Sequence, residues 1–347
     1  MKAIAYRQAH ALSNELSDEL SDDTGLQDVT LPDPEATGHD LLVEVRAVSV
    51  NPVDTKVRRG TSAPEGGWKV LGWDAAGVVR AVGSEVTGFQ VGDRVWYAGD
   101  ITRPGTNAEL HLVDARIASV MPASLDFAQA AALPLTAITA WELLFDRLGV
   151  ARGEVSAGQR LLIVGAAGGV GSVLTQLARQ LTGVTVIGTA SRPETQAWVR
   201  ELGAHHVIDH GRPLAEELQR IGMAPVTHIA SLTQTDQHFG QYVEAIAPQG
   251  RIALIDDPAP IDVRLLKRKS VSLHWELMFT RSMFQTADMA AQGALLAEVA
   301  RLVDAGTLRS TVAEHFGAIN AANLKRAHAL IESGQARGKV VLSGFGA

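Results

Sequence analysis

The segment Leu161–Gly171, with the sequence LLIVGAAGGVG, contains the residues whose types and spacing point most clearly to chemistry. An apolar run leads into clustered glycines, and Ser172–Leu181 then has the pattern of a helix. In such a loop Gly168 lets the backbone approach a pyrophosphate, Gly171 permits close helix–strand packing, and the helix N-terminus attracts negative charge. The segment therefore predicts dinucleotide binding, with Ala166 in place of the usual first glycine. No Lys-Ser/Thr pair follows the glycines, which argues against an ATP-hydrolysing loop.

The end of the next predicted strand bears on the choice between the two nicotinamide cofactors. A carboxylate at this point would bind the ribose 2′-hydroxyl of NAD. The chain instead reads Thr189-Ala-Ser-Arg-Pro193, in which Ser191 can donate a hydrogen bond and Arg192 offers a cationic fork suited to a phosphate. We predict NADPH on this charge argument. NADH binding, with Arg192 as a solvated residue before Pro193, is the alternative.

The amino-acid composition and the absence of certain motifs argue against several other functions. The 347 residues include no cysteine, which rules out disulfides, a thiolate nucleophile and Cys-ligated zinc. A net charge of −7 without a Lys/Arg cluster argues against nucleic acid as a partner. The sequence contains no Gly-x-Ser-x-Gly nucleophile elbow, which argues against a hydrolase. The N-terminus turns acidic where a signal peptide would be apolar, and no long apolar run predicts a membrane span, so we expect a cytoplasmic protein.

The chain has two regions with different sequence patterns. Residues 1–125 contain short alternating runs separated by Gly- and Pro-containing turns, which is typical of a β domain. After Gly158, apolar runs alternate with amphipathic helices, and this βαβ rhythm indicates a parallel, doubly wound sheet. At roughly 100–200 residues per domain, the length suggests two domains or one large one.

Several multi-residue motifs occur in a fixed order across nearly the whole chain. They are Ser49–Asp54 (SVNPVD), Gly72–Gly77 (GWDAAG), Val82–Val86 (VGSEV), Gly92–Val95 (GDRV), Leu133–Thr136 (LPLT), Ala166–Gly171 (AAGGVG) and Gly338–Val341 (GKVV). In these motifs the chain resembles the medium-chain dehydrogenase/reductase superfamily, and within it the quinone oxidoreductase-like branch. The resemblance implies an α/β protein with a GroES-like β-barrel domain, residues 1–127 and 276–347, and an inserted Rossmann domain, residues 128–275.

Many members of this superfamily are zinc-type alcohol dehydrogenases, but the resemblance does not extend to their metal ligands. Their catalytic-zinc pattern has a cysteine where Asn51 stands and a His-Glu pair where Trp73 and Asp74 stand. Their structural-zinc lobe needs cysteines, and the short segment Ile101–Asn107 has none. The resemblance, read residue by residue, therefore predicts no bound zinc.

The segment His205–His210 (HHVIDH) is the other place that suggests a metal site. On a strand, His206 and His210 share one face while His205 and Asp209 point the other way. The four side chains cannot surround one ion without breaking the strand, so we interpret the segment as a Rossmann strand.

Hydride transfer without a Lewis acid requires a substrate whose product anion is delocalised. Quinones and α,β-unsaturated carbonyls meet this condition, and we predict an NADPH-dependent reductase of such compounds. The same fold leaves open an enoyl-thioester reductase and a non-catalytic nucleotide-binding protein. The resemblance further implies a homodimer, with edge strands such as Val271–Trp275 pairing across the interface.

Site residues follow from the resemblance. Asn51 is expected beside the nicotinamide as an amide donor to the substrate oxygen, and Asp54 is expected to orient it or the cofactor ribose. Lys56 is a donor to the developing anion or an exposed strand-end lysine. Trp73 and Phe279 belong either to an apolar substrate wall or to the core, and Asp74 is expected to be a structural hydrogen-bonding residue. The predicted cofactor contacts are Thr136, Ala166, Gly168, Gly169, Val170, Gly171, Ser191, Arg192, Thr233, Ile255 and Lys339.

Overall fold

The computed structural model describes residues 1–11 and 25–346, and the chain forms two compact units. One unit comprises Met1–Leu135 and Phe279–Ala347, and the other, Thr136–Met278, is inserted between these segments. The boundaries predicted from the sequence, 127/128 and 275/276, lie eight and three residues before these.

The strands of the described residues are numbered here in chain order. They are β1 (Lys2–Tyr6), β2 (Gln27–Thr30), β3 (Asp40–Val50), β4 (Lys69–Val70), β5 (Ala75–Val82), β6 (Arg94–Tyr97), β7 (Leu110–Asp114), β8 (Ala118–Val120), β9 (Arg160–Val164), β10 (Thr185–Thr189), β11 (His206–Ile208), β12 (Val226–Ser231), β13 (Ile246–Leu254), β14 (Ser272–Trp275), β15 (Val312–His315) and β16 (Lys339–Ser343).

The α-helices are numbered in the same way. They are α1 (Pro52–Gly60), α2 (Phe127–Ala131), α3 (Pro134–Trp141), α4 (Gly169–Leu181), α5 (Pro193–Glu201), α6 (Leu214–Arg220), α7 (Thr235–Ala245), α8 (Thr280–Met283), α9 (Ala291–Asp304) and α10 (Ala321–Glu332). A π-helical segment covers Glu142–Arg147, and short 3₁₀ helices lie at Ala115–Ile117, Glu154–Ser156 and Val263–Lys269.

The inserted unit is built on a six-stranded parallel sheet with the order β11-β10-β9-β12-β13-β14. Numbered within the unit, this order is 3-2-1-4-5-6, that of a doubly wound Rossmann sheet. The central strands are apolar runs buried along most of their length, because helices cover both faces of such a sheet. Leu162, Ile229 and Phe239 belong to its core. The predicted Rossmann architecture is confirmed.

The other unit is mainly antiparallel. One sheet has the order β15-β16-β3-β5-β6-β8, with β7 also paired to β3, and a second has the order β2-β1-β4. Strand β3 alternates between buried and half-buried residues over its first half, as its sequence predicts, and its last four residues are all buried. It ends at Val50 and delivers Asn51 into the protein interior.

Helix α1 was not predicted from the sequence. Pro52 occupies its first turn, where a missing backbone N–H is tolerated, and Asp54 stands in the same turn. Lys56 therefore lies on this helix with an exposed side chain, so the description of it as a strand-end lysine is wrong.

One helical stretch, Phe127–Arg147, is long and apolar enough by length and composition to cross a membrane. However, 78% of its most apolar window is buried inside the protein, and a kink at Leu133 and Pro134 divides the stretch. Burial of this degree is that of a core helix. The sequence predicts no membrane span here, because charged residues interrupt the apolar run near its end.

Candidate functional site

Asn51 is the centre of a buried polar network in the first unit. Its Nδ2 donates to Asp74 Oδ2 at 2.8 Å and to the Ser49 carbonyl oxygen at 3.3 Å. Its Oδ1 accepts a short hydrogen bond from the Lys339 ammonium group. Both amide hydrogens of Asn51 are therefore bound within the protein, so donation to a substrate oxygen would require one of these bonds to be exchanged.

Lys339 lies on β16 with its side chain 3% exposed. Besides Asn51 Oδ1, its Nζ contacts the Val50 carbonyl oxygen at 3.1 Å and Asp74 Oδ2 at 3.1 Å. An ammonium group has three donors, and these three acceptors account for them. The sequence assigned Lys339 to the cofactor, and the structure places its charge inside the network around Asn51.

Asp74 joins this network to the start of helix α3. While Oδ2 accepts from Asn51 and Lys339, Oδ1 accepts the backbone N–H of Leu135 at 2.8 Å. Burial raises the pKa of Asp74, and the Lys339 charge opposes that rise. A carboxylate with every bond inside the protein acts as a structural element, as expected from the sequence.

Asp54 differs from Asp74 because one of its oxygens lacks a partner. Its Oδ2 accepts the Asn51 backbone N–H at 2.6 Å, while Oδ1 is buried without a hydrogen-bond partner among the described residues. Burial raises the pKa of Asp54 to about 7, and the nearby Lys339 charge only partly opposes this. Asp54 is therefore a group in this unit that can hold a proton near neutral pH.

The donors around Asn51 do not fit a zinc ion. Within residues 1–11 and 25–346, no three His, Cys, Asp or Glu side chains lie together in a group that could hold a metal. Asn51 and Asp74 offer one amide and one carboxylate, and both already bind the Lys339 ammonium. A divalent cation would have to displace that buried cation, and zinc sites use thiolate, imidazole and carboxylate ligands.

Trp73 and Phe279 pack against each other in the same unit. Their ring centroids are 6.2 Å apart at an interplanar angle of 76°, and both side chains are almost fully buried. Trp73 Nε1 also donates to the Asp100 carbonyl oxygen at 3.3 Å. These contacts are those of core residues, and a role in the substrate wall stays a prediction.

The glycine loop of the inserted unit runs from β9 into α4. A Cβ on Gly171 would lie 2.5 Å from the Gly165 carbonyl oxygen, whereas one on Gly168 would meet only that oxygen, at 3.5 Å. Gly171 therefore allows close packing of the turn. The space beside the Gly168 backbone is open, so a ligand could approach the backbone there. Gly169 and Val170 form the half-buried first turn of α4, and Ala166 is fully buried behind it.

Ser191 and Arg192 follow β10 at the carboxyl edge of the sheet, where open α/β sheets bind ligands. Ser191 is exposed, and Arg192 Nε pairs with Glu194 Oε1 at 3.0 Å. No acidic residue occupies the end of β10 itself. Thr136, in contrast, is a buried residue of helix α3.

Thr233 and Ile255 lie at the same edge, after β12 and β13. Sequence reasoning missed the polar residues beneath them, Ser231, Thr235, Tyr242 and Asp256, which form a continuous chain of hydrogen bonds. Asp256 lies two residues after the end of β13, and a carboxylate just after a strand is the signal that was available.

Two family models match the chain. Residues 37–122 match the alcohol dehydrogenase GroES-like domain, and residues 202–342 match the zinc-binding dehydrogenase model. The first match confirms the GroES-like identity predicted for the antiparallel unit.

Relatives cover the whole chain. A zinc-type alcohol dehydrogenase-like protein of Staphylococcus epidermidis is 35% identical over 345 residues, 99% of both chains. A crystal structure from Rhizobium etli CFN 42, described as a zinc-dependent alcohol dehydrogenase, is 58% identical with a TM-score of 0.94, covering 100% of this chain and 99% of that one.

Three further solved structures align with a TM-score of 0.81 over 99% of both chains. They are a quinone oxidoreductase of Pseudomonas syringae (26% identical), an NAD-dependent alcohol dehydrogenase (26% identical) and a mycobacterial protein complexed with NADPH (27% identical). The chain therefore belongs to the medium-chain dehydrogenase/reductase superfamily of oxidoreductases, in its zinc-type alcohol dehydrogenase-like and quinone oxidoreductase-like branch.

Proposed function

We propose that the chain is a zinc-independent oxidoreductase that uses NADPH to reduce a quinone or an α,β-unsaturated carbonyl compound. The observation that carries this proposal is the network of Asn51, Asp74 and Lys339 at the position where zinc relatives have their ligands. Because these donors do not fit a metal, the substrate must delocalise the charge that hydride addition creates.

The cofactor proposal rests on the inserted unit. The open backbone at Gly168 and the N-terminus of α4 suit a pyrophosphate, and bound NADPH supplies the hydride. Solved relatives include both an NADPH complex and an NAD-dependent enzyme, so family membership alone does not decide between the two. The cationic fork of Arg192, with no carboxylate at the end of β10, favours the 2′-phosphate of NADPH.

The first unit contributes the buried hydrogen-bonded network around Asn51, which lies between β3 and α1. Lys339 and Asp74 hold the Asn51 side chain in one orientation, and the Asp54 carboxyl group can hold a proton on Oδ1 near neutral pH. Asn51 and Asp54 are therefore proposed to shape and charge the catalytic region, with exposed Lys56 as a donor candidate.

We also propose that the protein is a homodimer. Strand β14 is the last strand on one side of the parallel sheet, so one edge of its backbone is available for pairing. Trp275, the last residue of β14, and Leu277, two residues after it, are each about half exposed. Sedimentation equilibrium tests this proposal: a dimer is expected, and W275D should shift the protein to monomer. A monomeric wild type would contradict it.

The central experiment follows NADPH consumption with a panel of quinones and enones, alongside saturated aldehydes and ketones as controls. We expect turnover of the conjugated acceptors, none of the controls, and no loss of rate after treatment with a strong zinc chelator. Chelator-sensitive turnover of simple ketones would contradict the proposal. NADPH binding without turnover of any acceptor would instead indicate a non-catalytic binding protein, and turnover of enoyl thioesters alone would indicate a thioester reductase.

A further inference from the structure

Four side chains at the carboxyl edge of the parallel sheet form a continuous hydrogen-bonded chain. Tyr242 Oη lies 2.7 Å from Ser231 Oγ, which lies 2.7 Å from Thr235 Oγ1, and Thr235 Oγ1 donates to Asp256 Oδ1 at 2.5 Å. Ser231, Thr235 and Tyr242 are fully buried, and Asp256 at the end of the chain is half-buried. Because a carboxylate only accepts, Asp256 orients all three hydroxyl groups toward itself.

Asp256 also holds the start of helix α7. Its Oδ2 accepts the backbone N–H of Thr235 at 2.9 Å, at the first residue of this 11-residue helix. The residue before it, Gln234, has no side-chain capping bond of its own. A carboxylate from the end of β13 therefore supplies the cap that the helix sequence lacks.

Gln234 has a strained backbone. Its φ and ψ angles are 53° and 36°, in the left-handed region that side chains other than glycine and asparagine seldom adopt. Such a conformation persists only where its surroundings impose it. The two hydrogen bonds from Thr235 to Asp256 fix the residue directly after Gln234 and so impose this turn.

Thr233, the residue before Gln234, lies against the glycine loop. A Cβ on Gly165 would lie 3.1 Å from Thr233 Cγ2, and the N–H of Leu232 donates to the Val164 carbonyl oxygen at 3.2 Å. Thr233 is otherwise exposed, at the edge where the cofactor is expected. The position of the Thr233 side chain against the loop is thus set by the strained turn that follows it.

We propose that Asp256 is a positioning residue for cofactor binding, acting through the left-handed turn at Gln234 to hold Thr233 against the glycine loop. Both carboxylate oxygens of Asp256 accept hydrogen bonds from Thr235, and the proposed role of Asp256 is exerted through this turn. The inference rests on the proposed function, because the ligand it serves is the nicotinamide cofactor.

The test is a rescue experiment on the full-length protein. In D256A the turn loses its support, and the Kd for NADPH is expected to rise about 10-fold, as the loss of charge-assisted bonds would give. In D256A/Q234G the glycine adopts the left-handed angles without strain, and the Kd should return to within about 2-fold of wild type. D257A, at the exposed neighbour of Asp256, is the matched control and should bind NADPH as the wild type does.

Hydrogen exchange gives a readout that does not depend on the cofactor. D256A should speed amide exchange in a peptide spanning Thr233–Thr235, while peptides from β9 keep the wild-type rate. In turnover assays, the D256A defect should lie in the KM for NADPH, with kcat little changed.

Three results would overturn the proposal. An unchanged Kd in folded D256A, whatever the stability of that variant, would show that Asp256 has only a structural role. A raised Kd that Q234G does not rescue would show that Asp256 acts by another route. If D256A exchanges as the wild type does, Asp256 does not hold the turn. Failure of the proposed function would give a different result from these three, because the wild type itself would then bind neither nicotinamide cofactor.

Discussion

The side-chain amide of Asn51 lies between an acceptor and a donor that allow it only one orientation. Asn51 Nδ2 donates to Asp74 Oδ2 at 2.8 Å, and Asn51 Oδ1 accepts from the Lys339 ammonium. A carboxylate cannot donate and an ammonium cannot accept, so the reverse orientation would leave two repulsive contacts. Lys339 and Asp74 form a buried ion pair beside Asn51, and the stability of the unit therefore depends on that pair.

Replacing Lys339 with methionine should destabilise the first unit strongly. K339M leaves the fully buried Asp74 carboxylate without its counter-charge, and breaking a buried pair in this way costs about 3–5 kcal/mol. Urea unfolding measures the loss, and the double variant D74N/K339M should recover a large part of it. K267M, at an exposed lysine, is the control and should shift stability by less than about 0.5 kcal/mol. Equal effects of K339M and K267M would contradict the ion pair's structural role.

Asp54 should make the protein less stable as pH rises toward neutrality. Its pKa is raised from 3.8 to about 7 in the folded protein, so between these values the folded state binds more protons than the unfolded one. The free energy of unfolding should therefore fall across this window, with a contribution of at most about 1.4 kcal/mol per pH unit, and level off above it. D54N keeps an oxygen acceptor for the Asn51 N–H but cannot ionise, so its pH profile should be flatter than that of wild type. Identical profiles for D54N and wild type would show that Asp54 does not titrate in this range.

Much of the fold was predictable because its signals are local. The alternation of β3, the apolar runs of the parallel sheet and the glycine loop each follow from residues adjacent in sequence. Helix α1 was missed because the residues that it buries, Asp54, Thr55 and Arg58, are polar and so give no apolar repeat along the sequence.

The site residues show where sequence reasoning stops. Asn51, Asp54 and Lys339 were selected as individual residues, but their mutual contacts join positions nearly 290 residues apart. The same limit hid the Ser231–Asp256 chain, because no sequence pattern links two strand ends to the start of α7. Burial and partner geometry, which decide whether Lys339 faces a cofactor or a carboxylate, arise only in the folded chain.

Arg192 should discriminate between the two nicotinamide cofactors. R192Q removes the cationic fork, so the Kd for NADPH is expected to rise about 10- to 100-fold, the equivalent of one or two charge-assisted hydrogen bonds. The Kd for NADH should change by less than about 2-fold, because NADH has no 2′-phosphate that Arg192 could contact. Fluorescence titration of both cofactors measures this, and a smaller salt dependence of NADPH binding in R192Q is expected. If R192Q weakens NADH and NADPH equally, Arg192 does not recognise the phosphate.

Gly171 should tolerate no side chain, even the smallest. In G171A the added Cβ would meet the Gly165 carbonyl oxygen at 2.5 Å and Ala166 Cα at 2.6 Å, and both are backbone atoms that cannot move aside independently. The turn between β9 and α4 must then open, so we expect a lower unfolding temperature and loss of detectable NADPH binding. G240A is the matched control, since a Cβ there meets nothing within 4 Å on helix α7. Alanine at that helical position should leave binding unchanged and add about 0.5–1 kcal/mol of stability. Differential scanning calorimetry of both variants checks the prediction, and a G171A protein as stable as G240A would mean that the glycine turn is not packed as described.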